Sequence, residues 1–479
     1  MTAQTADLVV IGAGPAGVEA ACAAREAALD VVLIDEAPAA GGQVYRALPL
    51  PYRAEPTDAL GPDFQAGEAL RAKLRGAAVR FASGHRVFLV APGFRIDAIG
   101  PSGVASWTAP ALIVATGATE RVVAFPGWTT PGVFGLAAAT IMLKSQRLLP
   151  GGRTVVAGCG PLLAAVAHGI IKGGGNVAAL VDLSSTIDWT KKLAAMISRP
   201  DLLARGLGWM ASIGRFGAPL WFRSTIVDVE GSDHVTAVHI KSVGRLGRVR
   251  TDAPTRRIAC DSLVVGHGLV PNSDLTRALN ARHVYAHERG GWIAERDPEM
   301  RTSMPRLYVA GDGGGISGAA SAGLQGRLAG ITAAYDLGRL DQAQWARMSA
   351  PIRAQLARAD RFGRAMSHLM AMRPALAEAI PLDCIVCRCE DVTRAEIEEA
   401  ISAGAVEVNQ VKQWTRCGMG PCQGKMCGET VAQLVAARVG GRERAGIFTA
   451  RPPFRPVRTD DLVGSFDYGD IPIPPPAPL

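Results

Sequence analysis

No stretch of the chain approaches the run of about 18 apolar residues that a membrane helix needs, so no span is expected. The opening residues, MTAQTADLVVIGAGPAG, lack a basic n-region and a small-residue cleavage site, so no secretory leader is expected. Long basic runs are missing too. Fifty-one Lys and Arg against 43 Asp and Glu leave a net charge of +8 that is spread along the chain, which argues against a nucleic-acid partner. Histidines are few. His283 and His287 have metal-ligand spacing only on a helix, and RHVYAHERGGW reads as a short strand or loop ending in glycines. A cytoplasmic protein is the expectation.

Cysteine is not scarce. Six of the nine fall near the C-terminal end: Cys384, Cys387 and Cys389 in DCIVCRCEDVT, then Cys417, Cys422 and Cys427 in WTRCGMGPCQGKMC. In a reducing compartment such clusters are metal ligands or catalytic thiols rather than disulfides. The length, 479 residues, suggests about three domains.

Residues 7–36 read DLVVIGAGPAGVEAACAAREAALDVVLIDE. A short apolar strand at 8–11 runs into Gly12, Gly14 and Gly17, followed by an Ala-rich helix over 18–28 and a second apolar strand over 31–34. Gly12 suits a tight turn, Gly14 the close approach of a pyrophosphate, and Gly17 helix-on-strand packing. With Pro15 and Ala16 between the glycines, the helix N-terminus offers its free amides to phosphate. Asp35 has the spacing of the acid that binds ribose hydroxyls, with Glu36 beside it. The pattern predicts a dinucleotide site.

Two distant segments decide which dinucleotide. LIVATGATERVVAFPG is a strand running into Ala115, Thr116 and Gly117, and TSMPRLYVAGDGGGISG is a strand ending in Gly311 and Asp312. They resemble the motifs of flavoproteins with two dinucleotide-binding domains. That resemblance implies FAD, with Asp312 on the ribityl chain and Gly42 and Gln43 of the GGQ turn passing the flavin. Asp312 also suits a helix cap. In RTVVAGCGPLLAAVAHGIIKGGGNVAALVD the strand–turn–helix–strand pattern repeats with Gly158 and Gly160, but Leu163 replaces the third glycine. In related reductases this domain binds NAD(P)H. Here NAD(P), another adenine nucleotide or an empty fold all remain open. Asp182 either holds a ribose or simply ends its strand, and no Arg pair follows it for a 2′-phosphate. Disulfide reductases carry a redox Cys pair soon after the GG turn, and GGQVYRALPLPYRAEP has no cysteine. Cys22, Cys159 and Cys260 read as buried small residues.

Residues 184–223 have helical apolar spacing and read as an inserted helical segment whose apolar face is either core or a partner surface. After Pro381, Thr393 with Glu396 predicts a capping box, and a second helix follows. The cysteine spacing is C-x-C, thirty-two residues, then C-x4-C. Four thiolates suit a [2Fe–2S] cluster and also zinc, so spacing leaves both open. The unit resembles the bacterioferritin-associated-ferredoxin-like (BFD-like) [2Fe–2S] domain, in its GMGxCQGxxC form. That resemblance makes Cys387, Cys389, Cys422 and Cys427 the ligands and leaves Cys384 and Cys417 as extra thiols, either buried neighbours or alternate ligands. The flavoprotein context disfavours zinc, because a redox-silent metal gives a flavin no electron path.

The order of motifs over nearly the whole chain is similar to the alpha (A) subunits of opine oxidases, the B subunit of hydrogen cyanide synthase, and the alpha subunits of proline and D-hydroxyproline dehydrogenases. The fold expected is α/β, a glutathione-reductase-like pair of dinucleotide-binding domains with a small helical BFD-like domain. The divisions expected are 1–130 and 286–345 for FAD, 131–285 for the second nucleotide fold, 346–380 for a helical linker, 381–435 for the cluster and 436–479 for a Pro-rich tail. The implied role is an FAD-dependent electron-transfer subunit of a heteromeric amine or imino-acid dehydrogenase. Its partner would be a D-amino-acid-oxidase-like flavoprotein, with a small ferredoxin-like subunit as a further candidate. Membrane contact would come only through the electron acceptor. A self-contained NAD(P)H-dependent flavin reductase feeding its own cluster is the alternative. No catalytic residue is assigned.

Overall fold

The computed structural model describes residues 3–49, 61–244 and 246–463. Two five-stranded parallel sheets form the frame. The first runs in the order Leu307–Val309, Leu112–Val114, Leu8–Ile11, Val31–Asp35 and Arg80–Ser83. Leu307–Val309, Leu112–Val114 and Leu8–Ile11 are short continuous apolar runs that are fully buried, as parallel strands covered by helices must be. The helix Pro15–Glu26 packs along Ala319–Asp336. Small residues let them touch: a Cβ on Gly326 would lie 1.9 Å from the Ala16 carbonyl oxygen, so only glycine fits there.

The second sheet runs in the order Val133–Gly135, Ser262–Gly266, Arg153–Gly158, Asn176–Asp182 and Leu220–Phe222, again parallel. Two short antiparallel strands, Ala118–Glu120 and Leu269–Pro271, join the two folds. Thr393 caps Arg394–Ser402 with the expected box, Glu396 closing it. The long helix Gln342–Leu369 leads to the cluster unit, and Gly428–Val439 crosses the expected boundary at 435–436.

The inserted segment is helical, as its spacing predicts. Its longest helix, Pro200–Phe216, buries only Ile213, and Ile187, Leu193, Ile197 and Leu207 stand exposed. Ile213 and Ala218 nevertheless join a core cluster with Met210 packed on it, and Trp189, Ala195 and Met196 pack against Ala365, Met366 and Leu369, so the segment's apolar residues divide between core and surface. The described part of the tail folds back onto the first domain. Phe454 is buried among Val90, Ile96 and Trp107, and its amide donates to Phe88 O at 2.9 Å. The rest of the tail, 464–479, lies outside the described residues.

Candidate functional site

The flavin candidates converge at the C-terminal edge of the first sheet, where ligands bind in open α/β folds. Gly12 takes φ +104°, which only glycine adopts without strain, and a Cβ there would meet the Ala115 carbonyl oxygen at 2.4 Å. Pro15 opens the helix and Gly14 caps it without a side-chain partner, leaving first-turn amides to a ligand. Ala16 is buried behind them, and a Cβ on Gly311 would lie 2.9 Å from its Cβ. Asp35 accepts from the amides of Ala13 and Ala37 (2.7 Å to the latter); burial pushes its pKa up against the pull of those two bonds. Glu36 lies beside it, 3.7 Å from Arg455. Gly42 packs against Gly14: a Cβ on Gly42 would lie 2.8 Å from the Gly14 Cα, whereas one on Gly14 would meet only the Gly42 Cα at 3.8 Å. Gln43 turns outward to accept from Arg46.

Thr116 Oγ1 donates to Asn272 O at 3.2 Å, and the Asn272 amide donates to Gly117 O at 2.9 Å. The Gly311 amide donates to Gln325 Oε1. Asp312 Oδ1 accepts from the Ser317 and Gly318 amides at 2.8 and 3.0 Å, so it caps the turn. Its pKa is raised by burial. Space in front of Gly14 and Gly117, a helix N-terminus with no side-chain cap, and two half-buried carboxylates together fit FAD.

At the cysteines, Cys387, Cys417 and Cys427 are all buried, and their sulfurs lie within 4.8 Å of one another. Cys389 and Cys422 are less buried, and the Cys422 thiol lies close enough to act on that of Cys389. The glycine loop passes over them: a Cβ on Gly420 would meet Cys389 Cβ at 2.2 Å. A donor set of thiols alone, with no carboxylate among the convergent atoms, fits an iron–sulfur cluster. Cys384 sits apart, its thiol pushed up to about 11 by burial.

The two centres are stitched together. Glu429, two residues after Cys427, pairs with Arg121, four residues after Gly117, at 3.1 Å. Arg121 also donates to His267 O, Met370 O and Gly290 O at 3.2, 2.8 and 2.7 Å. Thr430 Oγ1 donates to Val122 O. Lys425, in the cysteine loop, pairs at 2.9 Å with Asp274, two residues after Asn272. Burial works against the charges of Asp274 and Glu429. Lys425 and Arg277 hold the first, and Arg442 and Arg121 the second, below the usual carboxylate range. None of these residues carries a motif; only their closeness in sequence to Gly117 and Cys427 could have marked them.

The second glycine turn looks different. Met370 packs directly onto it: a Cβ on Gly160 would lie 2.4 Å from Met370 Cγ. Asp182 accepts from the Ser184 amide at 2.8 Å and from Trp189 Nε1 at 3.1 Å. Arg373 donates to Leu183 O at 2.7 Å. The chain's own segment 370–373 thus lies across the strand ends where a second dinucleotide would sit. Cys159, in that turn, is pushed up to about 12 by burial, which disfavours a reactive thiolate.

Two family models match the chain: pyridine nucleotide-disulphide oxidoreductase over residues 6–338 and BFD-like [2Fe-2S] binding domain over 385–437. The opine oxidase A subunit of Rhizobium meliloti (strain 1021) is 34% identical over 474 residues, covering 95% of this chain and 98% of that one. The HcnB subunit of hydrogen cyanide synthase from Pseudomonas protegens is 32% identical, covering 94% and 96%. Among solved structures, L-proline dehydrogenase from P. horikoshii superposes with a TM-score of 0.68 at 19% identity, covering 96% of this chain and 80% of that one.

Proposed function

The chain belongs to the pyridine nucleotide-disulphide oxidoreductase family, in the group that adds a BFD-like [2Fe–2S] domain and includes opine oxidase A subunits, and from that premise we propose which electrons it carries. It is an FAD- and [2Fe–2S]-containing electron-transfer subunit of an amine-oxidising complex. Bound FAD would take electrons in pairs and a [2Fe–2S] cluster would pass them singly. Gly12, Gly14, Asp35, Gly117 and Asp312 would hold the first, and Cys387, Cys389, Cys422 and Cys427 the second. The chain's own contribution is to fix the two sites against each other through Arg121–Glu429 and Asp274–Lys425.

The C–N bond is oxidised on a partner flavoprotein of the D-amino-acid-oxidase type, acting on an opine or imino acid. A small ferredoxin-like protein is the second candidate partner. Exposed Ile187, Leu193, Ile197 and Leu207 support a role within a complex, since such faces commonly mark protein contacts. The complex works in the cytoplasm, where the nine unpaired cysteines stay reduced. Among the described residues, no helix is long and apolar enough to cross a membrane.

The observation that carries this reading is Met370 on the Gly160 turn. A self-contained NAD(P)H-dependent reductase, or a bound adenine nucleotide, would need that segment to leave. The test is anaerobic stopped-flow mixing of the purified holoprotein with NADH or NADPH. The flavin should stay oxidised over seconds. Rapid bleaching by either nucleotide would make the reductase reading correct instead.

A further inference from the structure

Cys417 lies outside the ligand set that the family resemblance implies, yet its position is not that of an ordinary buried cysteine. Cys22, Cys159, Cys260 and Cys384 are also buried, and among the described residues none of them joins a cluster of ligand-type atoms. The Cys417 sulfur lies within 4.8 Å of both Cys387 and Cys427. Two thiolates on one tetrahedral metal, with metal–sulfur bonds of about 2.3 Å, stand roughly 3.7 Å apart. Every pair in this triangle is therefore within about an ångström of the separation that a shared iron imposes.

The chain holds Cys417 in place from both sides. The helix Val408–Thr415 ends with Arg416 at φ +62°, and the Cys417 amide donates to Thr415 Oγ1 at 3.1 Å. Gly418, at φ +90°, then turns the backbone away, and Phe448 packs where its side chain would be. Cys417 is fully buried, so no water competes for its sulfur. The spacing is regular as well: C-x4-C-x4-C places Cys417 as far before Cys422 as Cys427 lies after it.

We propose that Cys417 is a reserve ligand, able to take the place of Cys427 or Cys387 on the inner iron of the cluster. Five thiols then serve four positions. Cys389 and Cys422 form the outer pair, and any two of the inner three complete the set. The exchange is of ligands only: one iron–sulfur bond breaks, another forms, and the thiol proton moves from the incoming to the outgoing sulfur. The inference rests on the [2Fe–2S] assignment of this domain.

The test uses the full chain, purified anaerobically, as wild type, Cys417→Ala, Cys427→Ala, Cys387→Ala and the doubles Cys417→Ala/Cys427→Ala and Cys417→Ala/Cys387→Ala. Iron and sulfide per bound FAD are measured, together with the EPR spectrum after dithionite reduction. Cys417→Ala should keep the cluster with an unchanged spectrum. Cys427→Ala and Cys387→Ala should each keep most of their iron with shifted g-values, and both doubles should lose it. FAD content reports whether each variant has folded, and two single-variant arms guard against one of them failing to fold. Complete loss of iron from both Cys427→Ala and Cys387→Ala with FAD retained would overturn the proposal. Loss from Cys417→Ala alone would overturn it too, by making Cys417 an obligate ligand. Zinc in place of iron in the wild type is a different failure, that of the cluster assignment.

Discussion

Replacing Glu429 by Gln should be among the most damaging single changes available outside the two cofactor sites. The Glu429 side chain is 11% exposed and faces Arg121 at 2% and Arg442 at 7%. One carboxylate thus neutralises two buried guanidinium groups, at 3.1 and 2.6 Å. Removing one partner of a buried pair costs about 3–5 kcal/mol, because the other charge is left uncompensated. Arg121 would keep its three carbonyl acceptors, so what it loses is charge balance. Arg442 fares worse. Its Nε and one Nη already lack partners, and beyond the carboxylate it has the Tyr285 ring at 5.1 Å. With two like charges left facing each other, the upper part of the range is expected, about 4–5 kcal/mol. Denaturant unfolding of the holoprotein at neutral pH, followed by Trp fluorescence, measures it. Adding Arg442→Met should recover about 1–2 kcal/mol by removing one stranded charge. The pH dependence follows from the depressed Glu429 pKa: this stability is present above the ordinary Glu value and lost as pH falls through the lower, folded value. A loss below about 1 kcal/mol, the size of a surface pair, would refute the claim that this network clamps the cluster domain to the flavin segment.

Three further outcomes are expected. Gly14→Val should yield protein without flavin, since its side chain would occupy the space at the glycine turn that a pyrophosphate needs; a full yellow complement would contradict the site. Glu120 accepts from the Ala137 amide, and burial pushes its pKa up to about 7. Its folded pKa is raised, so stability should fall as pH rises from the ordinary Glu value through about 7, by up to about 3 kcal/mol, and Glu120→Gln should flatten that slope in unfolding titrations. An unchanged slope would show that its carboxyl is not desolvated. Met370→Ala should cost about 2–5 kcal/mol in unfolding free energy, as for a well-packed core side chain. A cost near zero would mean that Met370 does not fill the second glycine turn.

The first glycine turn is legible in the sequence because everything it needs is local: Gly12, Gly14, Gly17 and Asp35 lie within one strand–helix–strand unit. Asp312 lies far along the chain and is recognisable only through resemblance to known motifs. The capping box at Thr393 and Glu396 is equally readable, since its geometry spans one turn. Met370 and Arg373 are not. MAMRPALAEAI reads as generic helix, and which surface such residues cover is decided by long-range packing. Arg121 and Glu429 are hidden for a related reason, because charged residues read as surface until a buried partner is seen. The apolar spacing of residues 184–223 points correctly to helix and leaves core and surface undivided, since periodicity reports an apolar face and not what covers it. Cys417 stands in plain view, but spacing alone does not separate a fifth thiol from a fourth.

The electron-transfer role is tested most directly by a reductive titration of the purified holoprotein. Photoreduction under anaerobic conditions, with absorbance and EPR recorded on the same samples, counts the electrons each chain accepts. About three are expected, two for FAD and one for the cluster, with a [2Fe–2S] EPR signal growing in. Uptake that stops at two, with the flavin fully bleached and no paramagnetic signal, would mean that the cysteines hold a redox-silent metal and that the chain passes no electrons through them.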